Sequence, residues 1–173
     1  MTTSEGLLDS AYAFMDSPIG ELMLVSTDSG LMKIAFANEG FDQVLEELAS
    51  KIGSRIMLAP DRLQIVEREL GEYFAGARKQ FDLALDLSLT QGFRQLVQLH
   101  LAEIDYGKTA SYKEVAESVG KPRASRAVGS ACATNPLPIV LPCHRVLRSD
   151  GSLGGYAGGL EAKRTLLALE QAA

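Results

Sequence analysis

The sequence predicts an α+β protein in two parts: a small antiparallel sheet with helices, then a winged helix-turn-helix half. Three observations carry this. Short apolar runs broken by turn residues fill the start of the chain. From Phe93 onward, apolar residues recur at helical spacing in short segments that glycine closes. Between the two, residues 88–92 are polar and end in glycine.

In the first part, Ala13-Phe14-Met15, residues 21–27 and residues 31–36 are apolar runs. Asp16-Ser17-Pro18-Ile19-Gly20 and Asp28-Ser29-Gly30 separate them, the pattern of an antiparallel meander. Phe41, Val44, Leu45, Leu48 and Ile52 follow helical spacing, as do Leu63, Val66, Leu70, Tyr73 and Phe74. Pro60 stands near the start of the second helix and Gly76 just past its end, as helix termini favour. Phe81, Leu83, Leu85 and Leu87 alternate with Asp82, Ala84 and Asp86, as in a half-buried strand or an extended linker. The expected divisions are a disordered tail at 1–11, an N-terminal support domain at 12–87, a linker at 88–92 and a C-terminal domain at 93–173.

In the second part, Phe93, Leu96, Val97, Leu101 and Ile104 make one face of a helix that stops at Gly107. Ser111 and Glu114 match a capping box, each side chain satisfying a backbone amide that the helix leaves orphaned. That short helix ends at Gly120. Pro122, at a first-turn position, opens another through Arg126 and Val128 to about Ala133, closed by Asn135-Pro136. Two short helices across a Gly-Lys-Pro turn make a helix-turn-helix, whose second helix ordinarily meets DNA. Ser149-Asp150-Gly151 reads as the hairpin turn of a wing, and a last helix runs from about Leu160 to Glu170.

Composition excludes several classes. There is no run of eighteen apolar residues to span a bilayer, and the first residues lack the basic start and apolar block of a secretory signal. The two cysteines, Cys132 and Cys143, are therefore expected as reduced thiols in a cytoplasm. With His100 and His144 they show no paired metal-ligand spacing, so no metal site is expected. The net charge of −5 argues against nucleic acid, but its distribution argues the other way. Between Lys121 and Ser149 lie Lys121, Arg123, Arg126, Arg145 and Arg148 and no acid, a basic surface suited to phosphate.

Within that stretch Pro142-Cys143-His144-Arg145-Val146 is the densest chemical signal. A cysteine beside a proton acceptor and a cation can be a nucleophilic thiolate, although a buried cysteine often only packs. With Tyr106-Gly107, Ser111-Tyr112, Arg126-Ala127-Val128-Gly129, Asn135-Pro136, Gly155-Tyr156, Gly158-Gly159-Leu160, Lys163 and residues 166–170, this segment resembles the O6-alkylguanine-DNA alkyltransferase family. The similarity is strong over residues 92–170 and looser over 16–20 and 73–76.

The resemblance implies a ribonuclease H-like N-terminal domain and direct-reversal repair. The alkyl group of O6-alkylguanine, and of O4-alkylthymine, would pass once and irreversibly to Cys143 after base flipping, with no cofactor and no metal. It implies that His144 and Glu170 draw off the thiol proton through a water, since neighbours on an extended segment point to opposite faces. Asn135 would bridge the recognition helix to the active-site segment. Tyr112 would donate to the guanine ring nitrogen. Val146 and Tyr156 would line the pocket, Val146 also offering its carbonyl, and Pro138 and Pro142 would stiffen the strand carrying Cys143. Ala157, where many members carry serine, would contact substrate through its backbone amide. Arg126 would fill the gap left by the extruded base, with Ala127, Ser111 and Arg123 also on DNA. Gln98 stands where many members have tryptophan, a change of packing, and Cys132 is expected in the core. The implied partner is double-stranded DNA, held through the minor groove by a monomer, with cooperative clustering left open. Three other readings remain at this point: a non-catalytic sensor of alkylated DNA, a cysteine hydrolase, and a winged-helix regulator.

Overall fold

The computed structural model describes residues 10–53 and 55–172, in two compact units divided between Asp86 and Leu87. Of the expected tail, residues 1–9 lie outside the described residues. Ser10 and Ala11 do not belong to it: both are buried and open strand β1.

In the first unit β1 (Ser10–Met15), β2 (Leu22–Thr27) and β3 (Gly30–Phe36) form the expected antiparallel meander. The sheet is nevertheless mixed. A fourth strand, β4 (Ile56–Leu58), lies parallel to β1 at the edge, giving the order β3-β2-β1-β4. Its parallel sense follows from helix α1 (Phe41–Ile52), which carries the chain across between β3 and β4. Leu22, Met23, Leu24 and Val25 are all fully buried, so β2 is covered on both faces. Helix α2 (Gln64–Phe74), entered through a 3₁₀ turn over Pro60–Leu63, buries Val66, Leu70 and Tyr73. The alternating segment after it is extended. Leu31 donates to Ala84 O and Asp86 donates to Leu31 O, while the Asp82 amide donates to buried Glu69. The chain passes so close at Gly30 that a Cβ there would meet Ala84 O at 2.4 Å.

In the second unit, α3 (Gly92–Leu101), α4 (Tyr112–Ser118) and α5 (Ser125–Ala133) enclose a core of Val97, Leu101, Ile104, Val115, Val128 and Ala131. Leu96, expected on the inner face of α3, is half exposed. Gln98 is buried instead, its Nε2 donating to Ala131 O, one of the carbonyls left over at the end of α5. The capping box forms as read: Ser111 Oγ accepts from the Glu114 amide (3.0 Å), and Glu114 Oε1 accepts from the Ser111 amide (2.8 Å). Helix α5 starts three residues later than expected, because Pro122 lies in the connecting turn that the Ala124 amide closes on Lys121 O. The wing is a turn rather than a hairpin of strands. Arg148 donates to Ser152 O and Gly151 to Arg148 O, but β6 (Val146–Leu147) pairs in parallel with β5 (Ala110–Ser111). Helix α6 (Leu160–Ala172) follows. Among the described residues no helix is long and apolar enough to cross a membrane.

Candidate active site

Between the end of α5 and Cys143 the chain folds into a closed, buried loop, not the expected strand. The Asn135 side chain fastens it at two points: Oδ1 accepts from the Leu137 amide (3.0 Å) and Nδ2 donates to Leu141 O (2.7 Å). Leu141 also donates to Leu137 O. At the apex Ile139, a β-branched residue, takes φ +75°, a left-handed conformation that needs surrounding structure to hold it. Pro136, Pro138 and Pro142 are all buried in this loop.

Cys143–Arg145 is then one turn of 3₁₀ helix, not an extended segment. Successive side chains on such a turn diverge by about 120°, and no hydrogen bond joins Cys143 to His144. His144 instead points to α6, where its Nε2 lies 2.6 Å from Glu170 Oε2. A carboxylate only accepts, so Nε2 carries the ring proton and Nδ1 is the lone-pair acceptor. That buried Nδ1 has no protein partner. Glu170 is also held by Arg145, whose Nε donates to Oε1 (2.9 Å) and Nη2 to Oε2 (3.0 Å), and by the Gly107 amide. Arg145 completes itself with Nη1 on Ile104 O (2.6 Å). His144, Arg145 and Glu170 are all buried. Arg145 is thus no part of the basic surface. Lys121, Arg123, Arg126 and Arg148 are its exposed cations.

Burial pushes the Cys143 thiol up to about 11, against the Asn135 side chain and the Lys163 ammonium, which pull it down. The resting group is therefore a thiol that requires a base, not a standing thiolate. Burial lowers the His144 pKa; the Glu170 carboxylate opposes the shift, while Arg145 and Lys163 add to it. The imidazole is neutral and able to take a proton. Lys163 is fully buried on α6, its Nζ donating to Val146 O (2.8 Å) and Gly154 O (3.4 Å). Burial lowers its pKa while the neighbouring cysteines raise it.

A pocket of about 590 Å³ opens in the same unit. Of the residues expected around substrate, Tyr112, Tyr156 and Ala157 line it; so do Arg126, expected on DNA, Arg148, and Gly154 and Gly155. Cys143 and Val146 do not line it. They belong to the core cluster against which Tyr112 and Tyr156 pack, and the Val146 carbonyl expected to face substrate already accepts from Lys163. Tyr112 sits against Gly154 so closely that a Cβ there would lie 2.0 Å from its hydroxyl. Burial raises the Tyr112 pKa, keeping the phenol a donor. Pro138 is in the closed loop, Ser111 is engaged as the helix cap, Arg123 is exposed in the turn before α5, and Ala127 is exposed in its first turn. Cys132 lies in the core, its thiol pushed up to about 12 by burial. Among the described residues no group of three or more His, Cys, Asp or Glu side chains is placed to hold a metal.

Sequence reading missed Arg145, Lys163 and Arg148 as parts of the site. A signal existed for Lys163, since residues 163, 166 and 170 share one face of α6 with buried Leu166 and Glu170.

Residues 92–172 match the family model described as the 6-O-methylguanine DNA methyltransferase DNA-binding domain, and 11–87 match its ribonuclease-like domain. A methylated-DNA–protein-cysteine methyltransferase of Methanosarcina barkeri is 41% identical over 166 residues, covering 92% of this chain and 96% of that protein. One of Mycolicibacterium paratuberculosis is 42% identical over 160 residues, 92% of each chain. The crystal structure of the Mycobacterium tuberculosis O6-methylguanine methyltransferase superposes with a TM-score of 0.81 at 38% identity, covering 94% of this chain and 93% of that one. The same organism's protein in complex with DNA gives 0.81 at 37%, covering 95% and 93%.

Proposed function

The chain belongs to the 6-O-methylguanine DNA methyltransferase family, which repairs alkylated DNA by moving the alkyl group to a cysteine of the protein, and we propose that the acceptor here is Cys143. The observation that carries this reading is His144. It is fixed by Glu170 in the tautomer that leaves Nδ1 open to a proton, one residue from the cysteine.

In the proposed reaction the Cys143 sulfur attacks the alkyl carbon as the bond from that carbon to guanine O6 breaks. The thiol proton passes through a water to His144 Nδ1. Tyr112 donates a proton to the guanine ring nitrogen, so the base leaves neutral, and the imidazolium and phenolate left behind exchange their proton through solvent. Glu170, with Arg145 behind it, orients the ring and steadies its charged form. The thioether is stable, so each molecule acts once and needs no cofactor.

The alkylated oxygen is out of reach inside a duplex. The nucleotide is therefore flipped into the pocket lined by Tyr112, Tyr156 and Ala157, while Arg126 occupies the vacated stack from the minor groove. We read the protein as a monomer working where its two thiols, Cys132 and Cys143, stay reduced, in the cytoplasm.

Peptide mass spectrometry after mixing with a duplex carrying one O6-methylguanine tests this. The expected result is a single added methylene on the Cys143 peptide, at no more than one per molecule. Cys143→Ala should still bind the duplex and transfer nothing. Residual transfer in that variant, or tight binding without any mass gain in the native protein, would remove Cys143 from the mechanism.

A further inference from the structure

The pocket wall carries two guanidinium groups and no carboxylate. Arg126 and Arg148 both line it, both are exposed, and neither has a carboxylate partner among the described residues. A guanine base is uncharged at neutral pH and gives an arginine nothing to balance. The reaction assigns Arg126 to the gap in the duplex and leaves Arg148 without a task.

The turn that bears Arg148 is built to present it. Its own amide donates to Ser152 O (3.0 Å) and its carbonyl accepts from Gly151 (2.9 Å), so the backbone is pinned while the side chain stays in solvent. Asp150, two residues on, could have neutralised it. Instead Asp150 Oδ1 accepts from the Ser152 amide (2.9 Å) and hydroxyl (2.6 Å), which locks the turn; its carboxylate feels the Arg148 charge but makes no ion pair with it, so the guanidinium donors stay open. A planar fork of donors with no hydrogen-bonded carboxylate, carried on a pinned turn at a pocket wall, matches the geometry of a phosphate.

On the reading that alkylated guanine is extruded into this pocket, we propose that Arg148 is a phosphate-binding residue that holds the phosphodiester adjoining the extruded nucleotide. The pocket then recognises a nucleotide, base and backbone together, and Arg148 steadies the flipped state. A competing role would be to act on Tyr112 through its charge. That role would be indifferent to the DNA backbone, which the experiment exploits.

Single-turnover transfer rates are measured for the native protein, Arg148→Ala and Arg148→Lys on duplexes carrying one O6-methylguanine. The backbone is either natural or has an uncharged methylphosphonate in place of one of the two flanking phosphodiesters. Neutralising one of those positions should slow the native protein roughly ten- to hundred-fold, the worth of a charge-assisted contact. The same change should slow Arg148→Ala little further, and Arg148→Lys should recover part of the rate. Arg148 is exposed, so the melting temperature of Arg148→Ala should match the native one. Losses that simply multiply at both positions, or an Arg148→Ala protein as fast as the native one, would overturn the proposal. A native protein that leaves Cys143 unalkylated on the natural duplex would instead overturn the underlying reading.

Discussion

A carboxylate cannot donate, so the short contact between Glu170 and His144 Nε2 settles where the imidazole proton sits and which nitrogen can act as base. The same residue carries a pH dependence of stability. Burial lowers the His144 pKa in the folded protein, so below the unfolded value of about 6.5 the unfolded chain takes up a proton that the folded chain refuses. The sign is fixed: this contribution is neutral above that pH, and stability is lost as pH falls through it. Denaturant melts at successive pH values from neutral downward should show an acid-side decline in the native protein. That decline should be shallower in His144→Asn by up to about 1.4 kcal/mol per pH unit, the weight of one proton. Parallel declines would mean that His144 is already protonated in the fold. Arg145 is what aligns Glu170 for this, and its partner lies 25 residues away, which explains why it read as one more surface cation.

The loop between α5 and Cys143 is the element that positions this cysteine. Two hydrogen bonds from one side chain, Asn135, close it and hold Ile139 in a conformation it would not choose. Asn135→Ala leaves the Leu137 amide and the Leu141 carbonyl buried without these partners, at about 1–3 kcal/mol each. The expected outcome is a destabilisation of roughly 2–6 kcal/mol in chemical denaturation, with slower alkylation of Cys143 by O6-methylguanine DNA. A melt within about 0.5 kcal/mol of native, the range of an ordinary surface change, would mean the loop closes without its clamp. The sequence made the local part of this architecture legible. Ser111 and Glu114 announce a cap because that chemistry spans three residues. The faces of α1, α2 and most of α3 follow from period alone, whereas β4 offers only three residues, two of them exposed, and no alternation to read. The closed loop was misread as a strand because prolines and apolar residues in a row look alike in both. What distinguishes them is the pair of hydrogen bonds from the Asn135 side chain to the Leu137 amide and the Leu141 carbonyl, which residue pattern does not announce. The site's chemistry was read from family motifs, and its charge balance from neither motif nor period.

Across the whole molecule the charges are unevenly shared. Residues 87–173 carry ten Lys and Arg against seven Asp and Glu, a net +3, while residues 1–86 carry seven against fifteen, a net −8. A protein with a net charge of −5 therefore meets DNA with one unit favourable to phosphate and the other opposed to it. Far from contact, screening decides which is felt. At physiological salt the Debye length is about 8 Å, so only cations close to phosphate contribute fully. The exposed set without acids among it is Lys121, Arg123, Arg126 and Arg148. If these four neutralise phosphates, the logarithm of the binding constant should fall against the logarithm of salt with a slope of about −3.6. Between 50 and 200 mM salt that is a loss of about a hundredfold on unmodified duplex. Fluorescence anisotropy over that range checks it, and Arg148→Ala should lower the slope by about one. A slope near zero would mean that the basic stretch is a solvated face after all, and that this unit holds DNA by shape and hydrogen bonds instead of charge.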